Sequence, residues 1–243
     1  CSVAVALVEK LWRPGHGMYH YDAGNGRQLP GLLRDQAETA RALLHVLQYT
    51  DDRRFEEPLE QLLDLIATQH LTEAGEFVNA DEVGGCRTPR RRDAAILDNA
   101  LAAEVMLRGA IFTGRANLAL LARRALELYC EDFRRYGYSM AAYGRSAELA
   151  LHPPLHIVVV GKRDDEVAQA LFRAASRSYL PSRVVQRLDP DTDAELIDRL
   201  ELPERDEAVA YVCLAHDCAA EHRDPDTLWA ALAAANARRL QQG

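Results

Sequence analysis

The chain repeats itself, and the repeated unit is a pair of helices. "LLRDQAETARALLHVLQY" (32–49) sets Leu33, Ala37, Ala40, Leu44 and Leu47 at the three-and-four spacing of an amphipathic helix. A polar turn, "TDDRR", leads into "FEEPLEQLLDLIA" (55–67), a second helix whose Pro58 is tolerated in its first turn. The pattern returns as "AAILDNALAAEVMLRGAIF" (94–112), a turn "TGRAN", and "LALLARRALELYCEDF" (118–133). At an offset of 63 residues Asp35 matches Asp98, Ala37 Ala100, Ala40 Ala103, Leu44 Leu107, Thr50 Thr113, Leu63 Leu126 and Leu65 Leu128. Both first helices open on D-[QN]-A-x-x-A, and the turns coincide. Two-helix units at a common stride bury their apolar faces by stacking on one another.

Glycine–aromatic stretches follow the helices: "RPGHGMYHYD", "TEAGEFVNAD" and "RRYGYSM". Short turns on one side and long connections on the other predict an (α/α) toroid of inner and outer helices, with the long loops around its mouth. About five helices are present where a closed ring needs six hairpins. The chain also enters helical sequence directly from Cys1, so it reads as a piece of something longer, with the remaining hairpins upstream.

The periodicity changes near "LHPPLH". Residues 1–150 read as the partial toroid and 151–243 as a C-terminal α/β subdomain. "HIVVVG" is a continuous apolar run, as expected of a strand covered on both faces. It is followed by a helix with acidic residues at its start, strand "RVVQRL", helix "DAELIDRL", strand "AVAYVCL" and a helix opened by Asp224 as N-cap and Pro225 at its first position. Three strand–helix units predict a three-stranded parallel sheet with right-handed crossovers. The lone glycine of "VVVGKRDDE" does not make a dinucleotide fingerprint, so no cofactor is expected.

A formal charge of −8 argues against nucleic acid as the main partner, since phosphate needs a positive face. The basic run Arg87–Asp93 reads as a solvated loop. No apolar run approaches the roughly 18 residues of a membrane span. Five scattered cysteines do not form a disulfide framework, which favours a reducing, cytoplasmic setting. Cys86 and Cys130 read as unremarkable, Cys130 on the core face of an outer helix.

The succession "HYD…GLLRDQA…ALL", "LDNALAAEVMLR…TG", "YG…AAY", "PPLHIVVVG…YLPSRVV" and "AYVCLAHDCAAEHRDPDTL" resembles the C-terminal half of the thioredoxin-domain-containing proteins related to spermatogenesis-associated and YyaL-like proteins. The similarity covers nearly the whole chain, and "AYVC-x4-C…DP-x-x-L" is its most specific piece. The resemblance implies an upstream thioredoxin-like domain as partner and a toroid like that of six-hairpin glycosidases and acylglucosamine epimerases. It implies a role in carbohydrate metabolism without an established reaction. This chain carries no thioredoxin C-x-x-C.

The same resemblance makes Cys213 and Cys218 part of the family's pattern and leaves their role open. They read as structural thiols, as a reversible disulfide if the turn brings their Cα atoms within about 7 Å, or, with His216 and His222, as a zinc site of non-standard spacing. The expected metal content is none. Cys213 is expected at the C-terminal end of a parallel strand, the edge where ligands bind. In the helical part Asp35 and Asp98 stand at equivalent helix starts, with His20, Tyr21, Asn79 and Asp81 in the adjoining loops. Asp35, Asp98 and His20 are the candidate catalytic groups, and Tyr21, Asn79 and Asp81 the candidate contacts to a sugar ligand. An aspartate in a first helical turn also complements the helix dipole without any catalytic role. Two functions follow: a carbohydrate-active enzyme, or a non-catalytic scaffold that presents a client to the upstream redox domain.

Overall fold

Each repeat closes its first helix on a residue in the left-handed region. Helix α2 (Leu33–Thr50) stops where Asp51 takes φ +55°, and α4 (Arg92–Thr113) where Gly114, its counterpart in the repeat, takes φ +67°. That conformation turns the chain off the helix axis, and glycine or aspartate adopts it more readily than other residues. Helices α3 (Glu56–Gln69) and α5 (Ala116–Glu127) follow the two turns. The computed structural model describes residues 2–80, 92–203, 205–214 and 217–241. The basic run from Arg87, together with Asp81 and Cys86, therefore lies outside the described residues, apart from the backbone of α4's start. The chain divides into two units: residues 1–47, 52–110 and 115–150, and residues 48–51, 111–114 and 151–243.

The first unit is mainly helical. After α1 (Ser2–Leu11) the glycine–aromatic stretch expected as a loop forms a small antiparallel sheet of β1 (Trp12–Arg13), β2 (Gly17–Asp22) and β3 (Arg27–Pro30). Tyr21 pairs with Gln28 across it, so His20 and Tyr21 stand on a strand. Gln36, buried in α2, holds β2 in place: its Oε1 accepts the Met18 N–H at 2.7 Å and its Nε2 donates to the Met18 carbonyl at 2.9 Å. Gly17 has φ +72°, and a Cβ there would lie 2.3 Å from Gln36 Oε1, so this approach requires glycine. Asn99, the counterpart of Gln36, does the same to Phe77, accepting its N–H at 2.7 Å and donating to its carbonyl at 2.9 Å.

Small residues at the repeat positions let the helices approach closely. Ala37, Ala40, Ala100 and Ala103 are fully buried. Residues 99–110 of α4 are buried without interruption, so α4 is enclosed on all sides. Arg34 and Arg41 of α2 reach Asp98 and Glu104 of α4. Arg145 and Ser146 of α6 (Ala141–Leu151) reach Glu104 and the Ala100 carbonyl from the other side. The helices α2, α4 and α6 thus stand side by side in that order. Helix α5 ends at Glu127, earlier than its periodicity implies, and Cys130 lies beyond it and exposed, not on a core face.

The second unit carries a four-stranded mixed sheet in the order β5-β4-β6-β7, which replaces the expected three-stranded parallel one. Strands β4 (Leu155–Val160) and β5 (Arg183–Leu188) are parallel, joined through α7 (Glu166–Arg177). Strand β6 (Val209–Leu214) runs antiparallel to β4 and turns back into β7 (Asp217–His222). The intervening α8 (Ala194–Arg199) has six residues, about 9 Å, whereas β5 is about 20 Å long. The chain does not return to the start of β5, and enters β6 from the edge where β5 ended. One sheet face packs on α7 and α9 (Pro225–Gln241) through Ile157, Leu171, Val185, Val212 and Leu228. The other meets α8 through Val158, Leu188, Ile197 and Tyr211. Asp165 caps α7 by accepting from Val167 N and Ala168 N, and Asp224 caps α9 through Asp226 N and Thr227 N, with Pro225 at the first position. Among the described residues no helix is long and apolar enough to cross a membrane.

Candidate functional site

The lock of Gln36 on Met18 presents β2 to the first turn of α2, and this brings two of the candidate residues together. His20 Nδ1 lies 2.9 Å from Asp35 Oδ2, with 51% of the histidine and 24% of the aspartate side chain exposed. The Tyr21 ring stands edge-on to His20 with centroids 6.0 Å apart, and its own side chain is exposed. Asp98 is linked to this pair through the neighbouring residue: its Oδ1 accepts from Arg34 Nη1 at 3.4 Å. Asn79 is placed otherwise. Its Oδ1 accepts the Leu33 N–H at 3.0 Å, capping the start of α2 on which Asp35 stands. Asp81 lies outside the described residues.

A second charged group on the same three helices escapes sequence reasoning. Glu104 is buried in α4 and receives Arg145 at 2.5 Å, Arg108 at 3.5 Å and Arg41 at 3.7 Å, while Arg41 also pairs with Glu38. Burial lowers the pKa of the Arg108 guanidinium, and the Glu104 charge opposes that. The available signal was a glutamate and an arginine four apart inside the otherwise apolar stretch 100–112, since such residues are buried only when paired.

The His20–Asp35 arrangement suits proton transfer. A carboxylate on Nδ1 fixes the tautomer and leaves Nε2 as the basic nitrogen. Asp98 adds a carboxylate on the adjoining helix. Among the described residues no group of three or more His, Cys, Asp or Glu side chains is placed to hold a metal ion.

In the second unit Cys213 and Cys218 are joined in a disulfide, with Cα atoms 3.9 Å apart. The expected position of Cys213 is overturned. Because β6 is antiparallel, Cys213 pairs with His156 near the start of β4, at the opposite end from the carboxyl edge of the parallel pair. The disulfide also removes both sulfurs from the zinc reading, and His216 lies outside the described residues.

At that carboxyl edge stands a different cluster. Asp51, at its left-handed turn, accepts from Arg187 Nε at 2.8 Å and pairs with Arg163, which also approaches Asp193 at 3.4 Å. Burial alone would raise the pKa of Asp189, but the Asp191 and Arg163 backbone N–H groups and the Arg163 charge hold it lowered. A pocket of about 580 Å³ opens beside it, lined by Val160, Pro190, Ile197, Asp198, Arg205 and Asp206.

No protein-family model matches this chain, and no curated protein matches it. The functional reading therefore rests on geometry.

Proposed function

We propose that the first unit is an incomplete (α/α) toroid of the six-hairpin glycosidase and epimerase kind, and that His20, Asp35 and Asp98 act on a sugar at its mouth. The observation that carries this reading is the His20–Asp35 pair, an oriented imidazole beside a carboxylate on an exposed strand–helix junction. In this scheme His20 Nε2 takes and returns a proton, Asp35 orients the ring, and Asp98 accepts a sugar hydroxyl. Tyr21 offers an exposed ring to the sugar face. The row α2–α4–α6 supports an inner ring, with α1, α3 and α5 outside it. The chain then represents the C-terminal portion of a cytoplasmic thioredoxin-domain-containing protein, and its toroid serves carbohydrate metabolism.

A second reading, a non-catalytic scaffold for the upstream thioredoxin-like domain, has its own support. Asp98 is engaged by Arg34, and Asn79 caps α2, so both are spent on holding the fold. A panel of sugars followed by NMR, with the whole chain and with a longer parent chain, separates the two. The enzyme reading expects turnover that falls at least about a hundredfold in Asp35→Asn and in His20→Gln. Turnover that survives both substitutions removes the pair from catalysis, and the absence of both turnover and sugar binding leaves the scaffold.

A further inference from the structure

The register of the second sheet places two sulfurs and an imidazole in one row. Cys213 and Cys218 are direct partners on β6 and β7, and His156 of β4 is the partner of Cys213 on its other side. Side chains directly opposite on an antiparallel ladder share a face, with Cβ atoms about 4.5–5.5 Å apart. We propose that this row is a thiol–disulfide exchange site in which a dithiol attacks Cys218 and Cys213 is the sulfur that leaves. The proposal does not depend on the sugar reading of the first unit.

Stapling is a weak reason for this bond. It joins residues five apart that the hairpin already pairs, and closing so short a loop removes far less chain entropy from the unfolded state than closing a long one. Access is asymmetric. Cys218 is exposed on β7, the edge strand, whereas Cys213 is 2% exposed among Val158, Val209 and Tyr211. An incoming thiolate therefore reaches the Cys218 sulfur, with the bond to Cys213 as the one that breaks.

The imidazole is set in a defined tautomer. Gln186 Nε2 donates to the Phe112 carbonyl at 3.1 Å, which leaves its Oε1 to accept from His156 Nε2 at 2.7 Å. The neutral ring then keeps its lone pair on Nδ1. Burial lowers the His156 pKa to about 4, so the ring stays neutral beside the disulfide.

One thiolate of the dithiol bonds to Cys218 Sγ; the disulfide breaks, and its electron pair leaves on Cys213, which takes a proton. The second thiol then attacks the reductant's own sulfur in the mixed disulfide, and Cys218 departs as a thiolate and takes the second proton. One dithiol is oxidised to a disulfide, and one protein disulfide becomes two thiols. In the reverse direction the Cys213 thiol proton passes to the departing reagent thiolate as Cys213 attacks Cys218 Sγ.

The test treats the whole chain under native conditions with dithiothreitol and, separately, with a Cys-x-x-Cys protein dithiol, then alkylates and maps the labelled cysteines. Both Cys213 and Cys218 are expected to become labelled while the helical circular dichroism is retained, and oxidised dithiol is expected to restore the bond. Reaction with both reagents indicates a general exchange site; reaction with the protein dithiol alone indicates a docked protein reductant. With the partner sulfur removed, Cys213→Ser, which keeps Cys218, should form a mixed disulfide with oxidised glutathione at least about tenfold faster than Cys218→Ser. Reduction only on unfolding, or equal rates for the two cysteine variants, overturns the proposal.

Discussion

At positions 36 and 99 the two repeats carry amides of different length, and both close the same pair of hydrogen bonds on the backbone of a preceding segment. At positions 51 and 114 they carry unlike residues in the same left-handed conformation. At positions 35 and 98 they carry the same residue with unlike partners, His20 in one case and Arg34 in the other. The frame is thus kept by different side chains, while identical side chains have been given different neighbours. Backbone geometry is the shared property of the repeat, and chemistry is local to each copy.

The turns give the most severe test of that comparison. Asp51→Ala removes the carboxylate facing Arg163 and Arg187, and loss of one partner from such a poorly exposed cluster costs about 3–5 kcal/mol. Gly114→Ala meets only a positive φ and a contact with the Arg199 side chain, and about 1–2 kcal/mol is expected. Urea unfolding of both variants measures the difference, and equal losses would mean that the ion pairs add nothing to the turn.

The amides come next. Asn99→Ala leaves the Phe77 N–H and carbonyl without their partner and is expected to cost about 2–4 kcal/mol. Gln36→Ala should cost somewhat less, because its further bond to the Leu32 carbonyl is longer, 3.4 Å, than the 3.0 Å bond of Asn99 to the Ala95 carbonyl. A Gln36 variant with the larger loss would break the claim that the two locks are equivalent.

These comparisons sharpen at neutral pH, because acid adds a common loss. Burial depresses His156 to about 4, partly offset by the Gln186 hydrogen bond, whereas the unfolded chain titrates near 6.5. Between those values the unfolded chain takes up a proton that the folded chain refuses. Stability is therefore complete above about pH 6.5 and falls as pH drops toward 4, by up to about 3 kcal/mol. Thermal melts against pH, with His156→Gln as the variant that lacks this loss, check the sign.

The carboxylates should matter least to stability. Asp35→Asn and Asp98→Asn each disturb a partly exposed ion pair, and a change within about 1 kcal/mol is expected for both. Denaturation midpoints that separate widely would show that one of the two aspartates holds the fold.

Much of the helical unit could be read from spacing. The apolar stripe of Leu33, Ala37, Ala40, Leu44 and Leu47 predicts α2, and the shared D-[QN]-A-x-x-A marks the positions that repeat. The amide of that motif shows in the sequence as a pattern only, since its two hydrogen bonds go to backbone some 18 to 22 residues earlier. The small sheet of β1 to β3 is not legible in the sequence, because "GMYHYD" is short and the glycines and prolines around it resemble loop punctuation. Of the candidate site, His20 and Asp35 proved to be hydrogen-bonded, and Asn79 proved to be a helix cap.

The helices α2 to α5 and α7, the strands β4 to β6 and the caps at Asp165 and Asp224 follow from forces acting over a few residues, so local order in the chain is enough to specify them. The direction of β6, the buried Glu104 cluster and the pairing of Cys213 with Cys218 belong to the folded molecule. A strand apolar on both faces reads the same in either direction, and the partner of a buried charge or thiol depends on which distant segment packing brings beside it.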